Sequence, residues 1–361
     1  MKRRSFLKGA ALAGAGGALA APAIAQSRKT MTIVSAYPRD FPGVGISVQR
    51  TVKRIEELSE GRIATEYFAA GERVGAFDVL DEVASGNSQA YIASDYYFTG
   101  KHAGYNYFST VPFGMTASEM NSWIKFGGGQ ELWDELAGEF GVKCELCTNT
   151  GTQAGGWFNK EINSTDDLKG LKMRIAGLGG VVMSKLGAST VVLPGGQIYE
   201  SLVSGAIEAT EWIGPYNDYF MKFYEAAKYY YTAGMHEPGT SAGLGMNAEW
   251  YGSLSDWEKQ VIRAACHEEN AYAYEETMAL NGVYLQKLID EQGVQVRTFN
   301  DDLWDAFGDA AAEAFEEVRA HSELTARIDD SYQGFLRQVG GSMDQFEYTF
   351  VRQRNRVLGL S

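Results

Sequence analysis

Residues 31–37 form a short apolar run of strand length, and 44–58 repeat their apolar positions at helical spacing up to Gly61. Residues 62–68 alternate as a strand, 77–84 read as a short helix closed by Gly86-Asn87, and 90–94 give a third strand. Strands separated by helices in this order predict a parallel, doubly wound α/β sheet. A helical region covers 118–140, interrupted by the glycines at 127–129. The pattern then restarts. Strand-like 142–147, 155–159 and 172–176 lead to helix 181–186, strand 190–193, helix 198–204 and strand 209–213.

Two α/β units follow from this, one ending near residue 150 and the other near 238. Beyond them lie a strand at 241–246, a long helix at 256–291, a strand at 294–299 and a helical remainder. No Pro- or Ser-rich linker separates the units. The expected architecture is therefore two-lobed, with a chain that crosses several times and a ligand in the cleft. Lobe I is expected over 26–150 with 239–295 returning to it. Lobe II is expected over 151–238 with about 296–325 packing on it. Residues 326–361 form a C-terminal helical extension. Its apolar positions Ile328, Tyr332, Phe335, Val339, Met343, Phe346, Phe350 and Val357 recur at steps of three, four or seven, weakened at Gly340-Gly341. Periodicity favours packing on the chain's own body, with a partner subunit as the alternative.

The beginning of the chain carries an export pattern. Lys2, Arg3 and Arg4 precede Ser5-Phe6-Leu7-Lys8, a weakly apolar stretch runs to Ala21, and Ala23-Ile24-Ala25 offers a small-x-small cleavage site. This predicts a twin-arginine signal over 1–25 and a mature chain from Gln26 in the periplasm; an uncleaved amphipathic N-terminus is the alternative. No later run approaches membrane-spanning length. The formal charge is −14, and losing Lys2, Arg3, Arg4 and Lys8 with the signal takes it to −18. Such an acidic chain argues against nucleic acid and anionic lipid as partners. Cys144 and Cys147 form a C-x-x-C within a strand, where residues three apart point to opposite faces, so both are expected as free, structural thiols. Cys266 reads as helix core. His102, His236, His267 and His321 show no zinc-ligand spacing.

Three segments carry candidate chemistry: the Gly-rich crossing 149–157 with Gln153, the run Leu168-Lys169-Gly170-Leu171-Lys172-Met173-Arg174, and 205–215 with Glu211-Trp212, followed by 230–239 with Glu237. Arg174 lies in an apolar strand-like segment. Its planar fork matches a carboxylate and stays charged when buried, although pairing with an internal acid is an equal alternative. Glu211 lies at a strand end, where ligands of α/β sheets gather. Two carboxylates near a bound anion repel it unless a cation lies between them.

Together, Leu-Lys-Gly-Leu-Lys-Met-Arg and the later Gly-Ala-Ile-Glu-Ala-Thr-Glu-Trp resemble the solute-binding proteins of tripartite ATP-independent periplasmic (TRAP) transporters. Glu211-Trp212 resembles the branch that binds 2-oxo and 2-hydroxy monocarboxylates with a metal ion. The resemblance spans the mature chain and implies a class II-like periplasmic binding protein with a long connecting helix and an extended C-terminal helix. It implies a substrate site of Arg174, Gln153, Glu211, Tyr97 and Asn217. It also implies a metal site of Glu211, Glu237, Gln153 and the Trp212 carbonyl, holding sodium or calcium. All are hard oxygen donors. Two glutamates, one arginine and a substrate monoanion leave a deficit of two positive charges. Calcium cancels it and sodium leaves −1, so neutrality mildly favours calcium. Phe98 and Trp157 read as packing, and apolar Ile92-Ala93 allow an apolar substrate tail.

The implied function is capture by lobe closure and delivery to TRAP membrane subunits. The resemblance also implies a homodimer that exchanges the C-terminal helix. The competing classes are a hydrolase using Glu211 and Glu237 as an acid/base pair, or a solute sensor. The chain has no Gly-x-Ser-x-Gly elbow and no phosphate loop, and the neighbouring arginine argues against a hydrolase.

Overall fold

The computed structural model describes residues 28–360. The export signal lies outside them. Two sheets organise the chain. The first has the order β2-β1-β3-β10-β4, built from β1 (Lys29–Ser35), β2 (Ile63–Phe68), β3 (Ala90–Ala93), β4 (Val142–Asn149) and β10 (Ser241–Asn247). The second has the order β11-β9-β5-β8-β6-β7, built from β5 (Gly156–Phe158), β6 (Lys172–Arg174), β7 (Ser189–Val191), β8 (Ala209–Thr210), β9 (Tyr229–Tyr231) and β11 (Gln295–Arg297).

The expected parallel winding holds for β1–β3 and for β6–β8, where helices supply the crossovers. Elsewhere the sheets are mixed. β10 runs antiparallel to both β3 and β4, and β5 runs antiparallel to β8 and β9. These exceptions coincide with the crossings. The chain leaves the first sheet after β4, returns between β9 and β10, and leaves again between the long helix and β11. The first two crossings lie side by side and are stitched by Thr150 N–H to Thr240 O at 2.9 Å, Gln153 N–H to Glu237 O at 2.9 Å and Gly234 N–H to Gln153 O at 3.0 Å.

β4 is buried on both faces, and all three cysteines are free and buried. The long helix Asp256–Asp290 begins with a capping box between Ser255 and Glu258. It packs on β4, on the helix Val44–Leu58 and on the helix Pro215–Met221.

The tail divides in two. The helix Glu323–Met343 docks its first turns at home: Ile328 and Tyr332 are buried, and the Tyr332 hydroxyl accepts from Met115 N–H at 2.6 Å. Asp329 accepts from the Tyr107 hydroxyl at 2.8 Å. The helix runs through Gly340-Gly341 without a break, and the irregularity is a π turn at Asp344–Tyr348. The following helix Thr349–Leu358 buries no residue of its own, and Phe346, Phe350, Val357 and Leu358 are exposed. The extension expected over 326–361 is thus core at its start and unpartnered only near its end. Among the described residues, no helix is long and apolar enough to cross a membrane.

Candidate site for an anion and a cation

Parallel pairing of β6 with β8 puts Arg174 opposite Thr210, so Arg174 and Glu211 emerge together at the same strand ends. Both are buried. One Arg174 Nη1 hydrogen bond goes to the Glu211 carboxylate and another to the Glu211 carbonyl at 3.2 Å, while Nε donates to Leu193 O at 3.3 Å. The internal acid pair considered for Arg174 therefore exists. It does not exhaust the guanidinium, since Nη2 is buried without a partner. The Arg174 cation lies 5.3 Å from the centroid of the Trp212 ring.

The paired crossings add the rest. Gln153 Nε2 donates to Thr150 Oγ1 at 3.1 Å, leaving Oε1 buried and unpartnered. Glu237 takes the Thr240 hydroxyl on Oε2, and its Oε1 is likewise unpartnered. His236 Nε2 approaches Glu211 Oε2 at 3.6 Å, an electrostatic approach too long for a hydrogen bond. Burial and the neighbouring Glu211 charge push Glu237 well above the ordinary carboxylate range. Burial also pushes Glu211 upward, but the Arg174 charge, His236 and the Ala176 N–H outweigh it and hold that carboxyl low.

Buried polar atoms are rarely left unsatisfied. Here unpartnered acceptors, Gln153 Oε1 and Glu237 Oε1, gather in one closed site with an unpartnered cationic donor, Arg174 Nη2. Acceptors and carboxylates suit a cation, and the spare guanidinium donor suits an anion. The residues present fit both groups.

The Trp212–Ile213 peptide is held from behind. Asp218 Oδ1 accepts the Ile213 N–H at 3.2 Å, and Oδ2 accepts from Trp157 Nε1 at 3.0 Å and the Tyr230 hydroxyl at 3.1 Å. In a trans peptide the carbonyl points opposite to the N–H, so Asp218 aims the Trp212 carbonyl away from itself.

The family model described as bacterial extracellular solute-binding protein, family 7 (DctP) matches residues 43–321. The chain belongs to this family. It is 34% identical over 347 residues to a monocarboxylate 2-oxoacid-binding periplasmic protein of Nostoc sp., covering 94% of this chain and 95% of that one. A TRAP periplasmic solute-binding protein from Pseudoalteromonas atlantica, solved with sodium and pyruvate, is 35% identical with a TM-score of 0.87, over 90% of this chain and 99% of its own. One from Bordetella bronchiseptica, a mixed-occupancy dimer with calcium and picolinate in one site, is 30% identical with a TM-score of 0.89, over 92% and 98%. The fold and family are those of solute-binding proteins of transport and not of enzymes.

Within this solute-binding fold, the structure gathers Arg174, Gln153, Glu211, Trp212 and Glu237. Tyr97 faces them from the first sheet, its hydroxyl pushed up by burial and lying within the fields of Arg174, Glu237 and Glu211. Asn217 is engaged differently. Its Nδ2 donates to Pro42 O at 2.8 Å, across the cleft, and a Cβ at Gly43, where φ is +72°, would collide with it. Sequence reasoning missed His236, because histidine-to-histidine spacing is what points to zinc, and this one approaches Glu211, 25 residues away in the chain. It also passed over Tyr37, which follows β1, and gave Tyr96, which follows β3, no role beyond lining the cleft. Their place just beyond parallel strands is the signal that finds them.

Proposed function

We propose that this solute-binding protein captures a small 2-oxo or 2-hydroxy monocarboxylate together with sodium or calcium, and presents it to TRAP membrane subunits in the periplasm. The observation that carries the reading is the set of Arg174 Nη2, Gln153 Oε1 and Glu237 Oε1, all buried and unpartnered. Arg174 binds the substrate carboxylate with the donor that Glu211 leaves free. Glu211, Glu237, Gln153 and the Trp212 carbonyl hold the cation, which supplies the positive charge that two adjacent buried carboxylates need. Asp218 keeps the Trp212 carbonyl turned toward it. Tyr97 offers a hydroxyl to the bound anion, and Asn217 tethers the lobes when they meet. The relatives' ligands, pyruvate with sodium and picolinate with calcium, support a carboxylate flanked by a second donor atom.

The exposed apolar positions from Phe346 to Leu358 suit exchange between two copies, and the Bordetella relative is a dimer. Residues 26–150 with 239–295 form one lobe, 151–238 with about 296–325 the other.

The test is calorimetric titration of the mature chain with pyruvate, lactate and succinate, with chelator, with sodium alone and with added calcium. Pyruvate or lactate should bind, succinate should not, and removing the required ion should weaken binding by more than about tenfold. Ion-independent binding, or a preference for the dicarboxylate, would overturn the reading.

A further inference from the structure

His236 adds a nitrogen donor to a site whose other proposed ion donors are oxygens, and the sodium or calcium role gives that nitrogen no bond to the ion. Its place is fixed. A Cβ on Gly179 would meet the His236 Cβ at 2.5 Å, and one on Gly234 would meet the ring at 2.4 Å, so these two glycines make a slot for the imidazole. The slot holds Nε2 at 3.6 Å from Glu211 Oε2, buried and without a hydrogen-bond partner. Ligand atoms of Glu211, His236 and Glu237 all lie within 4.8 Å of one another, and all three residues are buried.

We propose that Glu211, His236 and Glu237 also form a mixed nitrogen–oxygen site for a first-row divalent ion of the zinc class, which competes with the hard cation. The proposal rests on the reading that a cation occupies this cleft. Imidazole contributes little to sodium or calcium and much to zinc, nickel or cobalt. Three ligand atoms around a tetrahedral ion with bonds of about 2.0–2.1 Å lie roughly 3.3 Å apart, so the cluster needs only a modest contraction. Glu237 Oε1 can move inward without breaking a hydrogen bond. The charge is also right. A divalent ion cancels both glutamates and leaves Arg174 to call for the same monoanion. The consequence is a binding protein whose loading depends on which cation reaches it.

The experiment uses the mature chain stripped with chelator and returned to chelator-free buffer. A His321→Ala background removes a competing histidine pair, His102 and His321, whose ring centroids are 4.6 Å apart. Zinc chloride alone, then calcium chloride alone, are titrated calorimetrically, and cobalt is followed by its visible spectrum. One zinc equivalent should bind, His236→Gln should weaken it by more than about tenfold, and calcium should move by less than about threefold. The cobalt spectrum should change in the same variant. Glu237→Gln should weaken both ions. Unchanged zinc binding in His236→Gln, or absence of the zinc equivalent, overturns the proposal. Equal loss of calcium and zinc in that variant also overturns it, because His236 would then only support the fold. Failure of calcium and sodium in the unmodified chain, by contrast, defeats the underlying reading and is seen separately.

Discussion

The two walls of the cleft are built from different chemistry. The wall at the strand ends of the second sheet carries charge: Arg174 and Glu211, with the Trp212 ring beneath. The wall at the strand ends of the first sheet carries phenols: Tyr37, Tyr96 and Tyr97. Burial, with help from nearby carboxylates, raises all three hydroxyls, so they stay neutral. Tyr37 is satisfied by Ser94 Oγ at 2.8 Å, and a Cβ on Gly177 would meet the Tyr96 ring at 3.3 Å. On the proposed function, one wall supplies recognition, and the other supplies a neutral, low-dielectric cover that strengthens the ionic contacts beneath it.

This division is sharpest at Arg174. Arg174→Ala should weaken anion binding by roughly 30- to several-thousand-fold, the usual range for breaking a desolvated charged pair at about 2–5 kcal/mol. Arg174→Lys should rescue little, because an ammonium lacks the fork. Calorimetry showing a change below about threefold in Arg174→Ala would move recognition to another wall. Next comes Glu237→Gln, which should abolish the thermal stabilisation by calcium and weaken the anion by more than about tenfold. A full calcium shift in that variant would take Glu237 out of the ion site. On the phenolic wall the effect should be milder. Tyr97→Phe should cost about 0.5–1.5 kcal/mol, or roughly 2- to 12-fold in affinity. A loss as large as that of Arg174→Ala would erase the distinction between the walls.

The support behind the charged wall is open to a pH test. Burial lifts Asp218 from its ordinary 3.8 to about 7. Between those values the folded chain keeps a proton that the unfolded chain releases, so this group's stabilisation is full below about 4 and is lost as pH rises to about 7. Asp218→Asn should flatten that decline without removing it, since buried Asp95 is lifted to about 8 and contributes in the same sense. Denaturation midpoints of the metal-free protein at several pH values measure the slope. An identical slope would mean that Asp218 stays ionised. The smallest effect on ligand is expected from the tail. Deleting residues 344–361 should leave affinity within about threefold while converting a dimer to a monomer by light scattering. A cut at 326 is a different experiment, because it removes Ile328 and Tyr332 from the core.

Much of this was legible in the chain. The strand–helix alternation is local, so period and punctuation located β1 to β3 and the helix Val44–Leu58 closely. Arg174 stood out as a charge in an apolar strand, Glu211 at a strand end, and Glu237 in the loop before Pro238-Gly239. Strand direction at the crossings was not legible, because β5 and β10 are paired by contacts distant in sequence. His236 was invisible for a similar reason: its partner Glu211 is brought to it only by the second sheet. The tail's amphipathic stripe was correctly periodic, but periodicity cannot tell a core partner from a foreign one. Here the same stripe meets Trp123 at Tyr332 and solvent at Phe350.

The long helix Asp256–Asp290 has 35 residues, about 52 Å end to end. It is cemented to β4 on one side of the cleft and to the helix Pro215–Met221 on the other. Any rotation between the lobes must therefore bend it or slide along it. It is a strut shared by both lobes, and Tyr272 and Val283, on one face of it, are exposed.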